Sequence, residues 1–213
     1  MSRFADLSLT AFLDVLASPE PTPGGGTASA LAGAIGVSLL MMVGALPKSR
    51  KNTDAERIAL GEAGAALASV RDTFVALADT DADAYKQVLA AYRLPKSSET
   101  EKSVRSEAVQ RALRAATEAP VETLRAATVA MRQARAVAEH ANRNAVSDVR
   151  VALELIEASA AGGAANVEIN LPGLDDEALK QAMAADVLAL TNQLKEDAAA
   201  ARAALTTQSD VLG

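Results

Sequence analysis

Asn142-Arg143-Asn144-Ala145-Val146-Ser147-Asp148 sets two amides and a carboxylate at the start of an apolar helical period. Amide side chains orient a polar ligand by donating and accepting at once, and a carboxylate can take a proton from water, so the segment carries the ingredients of hydrolytic chemistry. Helix capping by itself accounts for Ser147 or Asp148. It does not account for the further amides at Asn166 and Asn170, which lie just before the break at Pro172-Gly173.

A second group sits earlier in the chain. Gly24, Gly25 and Gly26 precede an apolar helical stretch, where glycines permit unusual dihedrals and free N–H groups at a helix start can receive an anion. The run lacks the Gly-Lys-Ser/Thr ending of a P-loop and follows no strand, which argues against nucleotide binding. Asp79, Asp81 and Asp83 imitate the opening of a calcium loop, but Ala84 and Ala90 stand where the glycine and the bidentate acid belong. An EF-hand is excluded. Two readings of the acidic trio remain: solvated charges at a helix start, or a carboxylate, Asp81, aimed into a cleft. Lys96 and Arg105 follow, suited either to substrate carboxylates or to plain solvation. His140 reads first as a capping or surface group, with acid/base work second.

The elements that must position these residues are helical. Thr53 with Glu56 and Ser98 with Glu101 fit the capping box, marking two helix starts. Behind the first recur Leu60, Leu67, Val70, Phe74 and Leu77, and behind the second Val104, Ala108, Ala112 and Ala116. Pro120 is expected to open another helix, carrying Val121, Leu124, Thr128 and Met131. Val149, Leu153, Ile156 and Ala160 form a further stripe, and Leu179, Met183, Val187, Leu190 and Leu194 the last. The nearest strand candidate is 166–171. These periods predict an all-α fold, a bundle of about six to eight helices around a central, small-residue-rich apolar helix.

Composition narrows the chemistry. The 213 residues suit one domain, 1–213, and with half of them hydrophobic but only 2% aromatic the core must be Ala, Leu and Val in closely packed helices. No cysteine and one histidine leave no thiolate or multi-histidine metal site, so the expected site is metal-free. A formal charge of −6 opposes nucleic-acid binding. The first sixteen residues carry Arg3, Asp6 and Asp14 and do not form a secretory signal, which places the chain in the cytoplasm. The run 28–46 is long enough to span a bilayer, yet its small residues and lack of aromatic belts point to a buried helix and no membrane.

In order along the chain, Pro21 to Thr27, Asp81-Ala82-Asp83-Ala84-Tyr85, Leu94-Pro95-Lys96, Glu101 with Arg105, Asn142 to Asp148 and Asn166 to Leu171 together resemble the C-terminal family of formiminotransferase-cyclodeaminase, which includes stand-alone methenyltetrahydrofolate cyclohydrolases. The resemblance runs from about Leu9 to Leu194, with two departures: Ala141 where the family commonly has Gly, and Pro47-Lys48 in place of a Thr/Gly-containing stretch. It implies a homodimer with tetrahydrofolate-derivative clefts near the interface, and no cofactor beyond the tetrahydrofolate-linked substrate.

The implied reaction is hydrolysis of 5,10-methenyltetrahydrofolate to 10-formyltetrahydrofolate. Its alternatives are cyclodeamination of 5-formiminotetrahydrofolate with release of ammonia, and non-catalytic folate binding. The absence of an accompanying formiminotransferase domain favours hydrolysis. Within that reading Asp148 is the first candidate for the base and Asp81 the second. Gly24, Gly25 and Gly26 would admit substrate closely, Asn142, Asn144 and Asn170 would orient it, and Lys96 and Arg105 would meet its carboxylate tail.

Overall fold

The structure is a computed structural model that describes residues 3–47 and 52–209, without the side chains of 207–209. Its six α-helices are α1 (Leu9–Leu16), α2 (Gly25–Ala45), α3 (Asp54–Tyr92), α4 (Glu99–His140), α5 (Val146–Asn170) and α6 (Glu177–Ser209), with no strand among the described residues. Both capping boxes form as the sequence spacing demands, Thr53 and Glu56 starting α3 and Ser98 and Glu101 starting α4. The segment 166–171, the strand candidate, is helical: α5 runs through Asn170 and a 3-10 turn at Leu171–Gly173 completes it.

Helices α2, α3, α4 and α5 run alternately up and down as a four-helix bundle, and α6 lies along α4 and against part of α5. The predicted stripes point inward except at Val104, which is 55% exposed. Phe74, Leu67, Leu124, Met131, Leu153 and Ile156 are fully buried and belong to one continuous core with Val37 and Leu40 of α2. With so few aromatics the helices must close up through small residues. A Cβ on Gly33 would come within 2.5 Å of the Phe74 ring, and one on Gly36 within 2.9 Å of the Ala152 carbonyl oxygen. On α5, a Cβ on Gly163 would come within 3.0 Å of the Pro120 carbonyl, and one on Gly162 would overlap Ser29.

Pro120 does not open a helix. It lies inside α4, which continues unbroken from Glu99 to His140. A proline within a helix leaves the carbonyl four residues earlier without its N–H partner. Here that carbonyl is Ala116, and it accepts the Asn170 side-chain amide at 2.9 Å. The tertiary bond removes the penalty that makes an interior proline read as a helix boundary.

Helix α2 is the one described helix long and apolar enough to cross a membrane. It is packed by α3, α5 and, less closely, α4, burying Ala30, Gly33, Val37, Leu40 and Val43. Beyond the bundle, α3 and α4 continue as an arm with its own small core of Val88, Ala91, Val109 and Ala112.

Candidate active site

The start of α2 is built around one acid. Asp81, on α3, lies against Gly26 so closely that a Cβ there would overlap its carboxylate. The fully buried Thr27 hydroxyl lies 3.2 Å from both Asp81 Oδ2 and the Ala78 carbonyl, its single proton shared between these two acceptors. Burial drives the Asp81 pKa above the ordinary carboxylate range, and the Thr27 hydrogen bonds oppose this without cancelling it. A half-buried carboxylate with a raised pKa beside a helix start is a group able to hold a cation and to exchange a proton. Asn166, on α5, closes the other side, its amide nitrogen 3.7 Å from where a Gly25 Cβ would stand and its N–H donated to the Gly162 carbonyl at 2.7 Å.

Two expectations about this end change. None of the described glycines takes a positive φ, so Gly24–Gly26 do not serve unusual dihedrals; only Gly26 is required by close approach, while Gly24 and Gly25 have ordinary room. The helix start also faces Asp81, so it is furnished with the protein's own negative charge and is poorly suited to an external anion. The acidic trio is not at a helix start either, since it falls in the middle of α3. Asp79 accepts the Phe4 backbone N–H at 2.8 Å through Oδ1, its Oδ2 buried without a partner, and Asp83 pairs with Lys86 at 2.9 Å, so that Asp81 is the member set against the start of α2.

Asn142, Asn144 and Asp148 stand at the opposite end of the bundle. Asn142 accepts the Asn144 backbone N–H at 2.9 Å, capping the 3-10 turn Arg143–Ala145, and donates to the Pro47 carbonyl. Its work is to tie the α4–α5 connection to the end of α2. Asp148, half-buried, lies in the first turn of α5, whose N-cap is Ala145, so neither it nor Ser147 is the cap. From Asp148 to Asn166 is eighteen residues of helix, about 27 Å at 1.5 Å per residue. The expected single constellation is therefore divided in one chain. Ala141 ends α4 in an extended conformation that any residue adopts, so the departure from Gly there costs no strain. Lys48 of the other departure lies outside the described residues.

The basic candidates lie on the arm. Arg105 donates through Nε and Nη2 to the Tyr92 carbonyl, 3.2 Å each, and stacks over the Tyr92 ring at 5.5 Å. It caps the end of α3 through Nε and Nη2. Tyr92 is eleven residues beyond Asp81 on α3, about 16 Å. Lys96 is exposed in the α3–α4 turn. Asn170 supports Ala116, as described above, so its donor is committed to the fold.

Sequence reading missed Thr27 and underweighted Asn166. The signal for Thr27 was its place directly after the glycines, one helical position from the residue Asp81 overlies. Among the described residues no group of three or more acids, histidines or cysteines is arranged to hold a metal ion.

Residues 8–189 match the profile of the family described as formiminotransferase-cyclodeaminase. The chain is similar to the methenyltetrahydrofolate cyclohydrolase of Methylorubrum extorquens, 36% identical over 82% of this chain and 84% of that protein. It is also similar to the formimidoyltransferase-cyclodeaminase of Gallus gallus, 29% identical over 90% of this chain but only 35% of that longer protein. The crystal structure of formiminotetrahydrofolate cyclodeaminase from Thermotoga maritima superposes with a TM-score of 0.84 at 27% identity, covering 96% of this chain and 98% of that one.

Proposed function

The chain belongs to the formiminotransferase-cyclodeaminase family, and from that premise we propose that it hydrolyses 5,10-methenyltetrahydrofolate to 10-formyltetrahydrofolate. The observation that carries the chemistry is Asp81, a partly buried carboxylate with a raised pKa, gripped by Thr27 at the start of α2. The substrate's one-carbon bridge is an amidinium cation, and a fixed negative charge beside it stabilises the bound state and the transition state that follows.

In this reading the ionised Asp81 takes one proton from water as the oxygen bonds to the bridge carbon. The neutral tetrahedral adduct then opens by breaking the bond from that carbon to N5. The adduct's hydroxyl proton is lost, N5 gains a proton, and the carbon remains on N10 as a formyl group. Asp81 releases the first proton to solvent, so one proton is produced per turnover. Thr27 fixes the carboxylate, and Asn166, whose N–H is donated to the Gly162 carbonyl, would orient the pterin through its amide oxygen. Lys96 and Arg105, some 16 Å along α3, suit the carboxylate end of an elongated folate. Asp148, first in order from sequence, is second to Asp81 here because Asp81 is the one gripped by a buried threonine, whereas among the described residues no hydrogen bond is seen to hold the Asp148 carboxylate.

Cyclodeamination is the second reading, favoured by the close superposition with the Thermotoga maritima enzyme. The same carboxylate would protonate departing ammonia. An absorbance assay offering purified protein methenyl- and formiminotetrahydrofolate separately decides between them. Turnover of the first alone supports hydrolysis, and turnover of neither refutes both.

We also propose a cytoplasmic homodimer that needs no metal. The uncharged outer face of α2, with Ile35 53% and Met42 40% exposed, supports a self-association surface in place of a membrane contact.

A further inference from the structure

Helix α5 carries two adjacent glycines, Gly162 and Gly163, in its interior, where glycine weakens a helix relative to alanine. The two face different neighbours. A Cβ on Gly163 would meet the Pro120 carbonyl of α4 at 3.0 Å, and one on Gly162 would lie 1.9 Å from Ser29 Oγ and 2.9 Å from Ser29 Cβ on α2. At this level α5 is held between α2 and α4, and the turn that follows carries Asn166.

On the α2 side the contacts close into a ring. Ser29 Oγ, filling the slot at Gly162, donates to the Gly25 carbonyl at 2.7 Å. The Asn166 amide nitrogen donates to the Gly162 carbonyl at 2.7 Å and stands 3.7 Å from where a Gly25 Cβ would be. Gly25 to Ser29 and Gly162 to Asn166 are each one helical turn, so the two helices are held in register over that turn. With its nitrogen bonded to its own helix, the amide turns its oxygen the other way, and among the described residues no hydrogen bond reaches that oxygen. Rotating Ser29 away would break its bond to Gly25 and still leave its Cβ 2.9 Å from a methyl at 162, so a side chain there must push α5 off α2.

We propose that Ser29 and Gly162 are positioning residues for the substrate: by interlocking they set Asn166 so that its amide oxygen, an acceptor only, stands beside the start of α2 and selects a ligand offering an N–H donor there. This rests on the folate reading above. A pterin carries such donors on its amino group and ring nitrogens, whereas the cationic methenyl bridge carries none and is left to Asp81. The two groups therefore divide the work, Asn166 holding the ring and Asp81 serving the bridge carbon. Loosening Asn166 then weakens binding of ground state and transition state alike, which raises KM and spares kcat.

The test is Gly162→Ala, alone and combined with Ser29→Gly, after which the nearest atom of residue 29 is its Cα at 3.9 Å, an ordinary contact. Gly162→Ala should raise KM for methenyltetrahydrofolate about tenfold, as loss of one hydrogen bond does, with kcat within about threefold of the parent. Adding Ser29→Gly should return KM to within about threefold of the parent, although a glycine in α2 weakens that helix; a role confined to helix stability gives no such recovery. Asn166→Leu should raise KM by a similar factor, and Gly162→Ala added to it should raise KM little further, because the glycine acts through the amide. An unchanged KM in Gly162→Ala, no recovery in the double variant, or full additivity with Asn166→Leu overturns the proposal. Should Gly162→Ala alone fail to fold by circular dichroism, the double variant carries the decision: folded with a near-parental KM it supports the interlock, and unfolded it refutes it. If the parental protein turns over neither folate, the functional reading fails and the role of Asn166 with it. Urea midpoints, lowered by Gly162→Ala and raised again by Ser29→Gly, then report on the interlock by itself.

Discussion

The two ends of α2 carry equally polar sequence but use it differently. At the Gly26 end, Asp81 is fixed by a fully buried threonine and displaced from water. At the Pro47 end, Asn142 is spent on a turn and a carbonyl, while Asp148 sits in the first turn of α5. The lesson concerns what makes a polar residue chemical. Half-buried carboxylates occur at both ends, and what separates them is that at the Gly26 end a fully buried threonine holds the group.

The largest test of that contrast is Asp81→Asn. Removal of the acceptor and its charge should lower kcat for methenyltetrahydrofolate by about 10²-fold or more, read by absorbance after subtracting spontaneous hydrolysis. Asp148→Asn, made alongside, should change kcat by less than about threefold. If the two results are exchanged, the ranking of the two ends is reversed.

Next in size is a pair of glycine substitutions on α2 and α3. Gly33→Ala drives a methyl into Phe74 and should cost about 1–3 kcal/mol by urea unfolding. Gly61→Ala meets open space on an exposed helix turn and should stabilise by roughly 0.5–1 kcal/mol. A Gly33→Ala protein as stable as the parent would mean that α2 and α3 are not in close contact.

A smaller effect follows from the raised Asp81 pKa. A carboxyl that binds its proton more tightly folded than unfolded gives full stability at low pH and loses part of it as pH rises through the ordinary carboxylate range to the folded pKa. Asp81→Asn lacks this loss. The Tm of the variant minus that of the parent should therefore grow with pH across that interval and level off above it. A difference that shrinks would show the carboxylate to be stabilised in the fold.

The helices were legible from sequence because periodicity and capping boxes are local: Thr53 with Glu56 and Ser98 with Glu101 needed no tertiary information. Pro120 was misread for the complementary reason, since its helix survives through Asn170, which only the fold brings near. The same holds for the site. Asp81 was named from sequence among the three acids, but what sets it apart is visible only in the fold, where Phe4 engages Asp79 and Lys86 pairs with Asp83. The division of Asp81 from Asp148 was invisible too, because chain order does not say that α2 and α5 run in opposite directions.

The Pro120–Ala116–Asn170 arrangement also constrains inheritance. With proline at 120, the amide at 170 fills a vacancy in the α4 hydrogen-bond ladder, and its loss should cost about 1 kcal/mol for a part-buried carbonyl left without its donor. Where 120 carries an ordinary residue, the ladder closes by itself and 170 is free to drift. The two positions should therefore change in step among descendants of this chain, so that Pro120 can be replaced first and Asn170 afterwards, whereas the opposite order passes through a weakened protein. In a double-mutant cycle, Asn170→Ala should be less damaging in the Pro120→Ala background than in the parent.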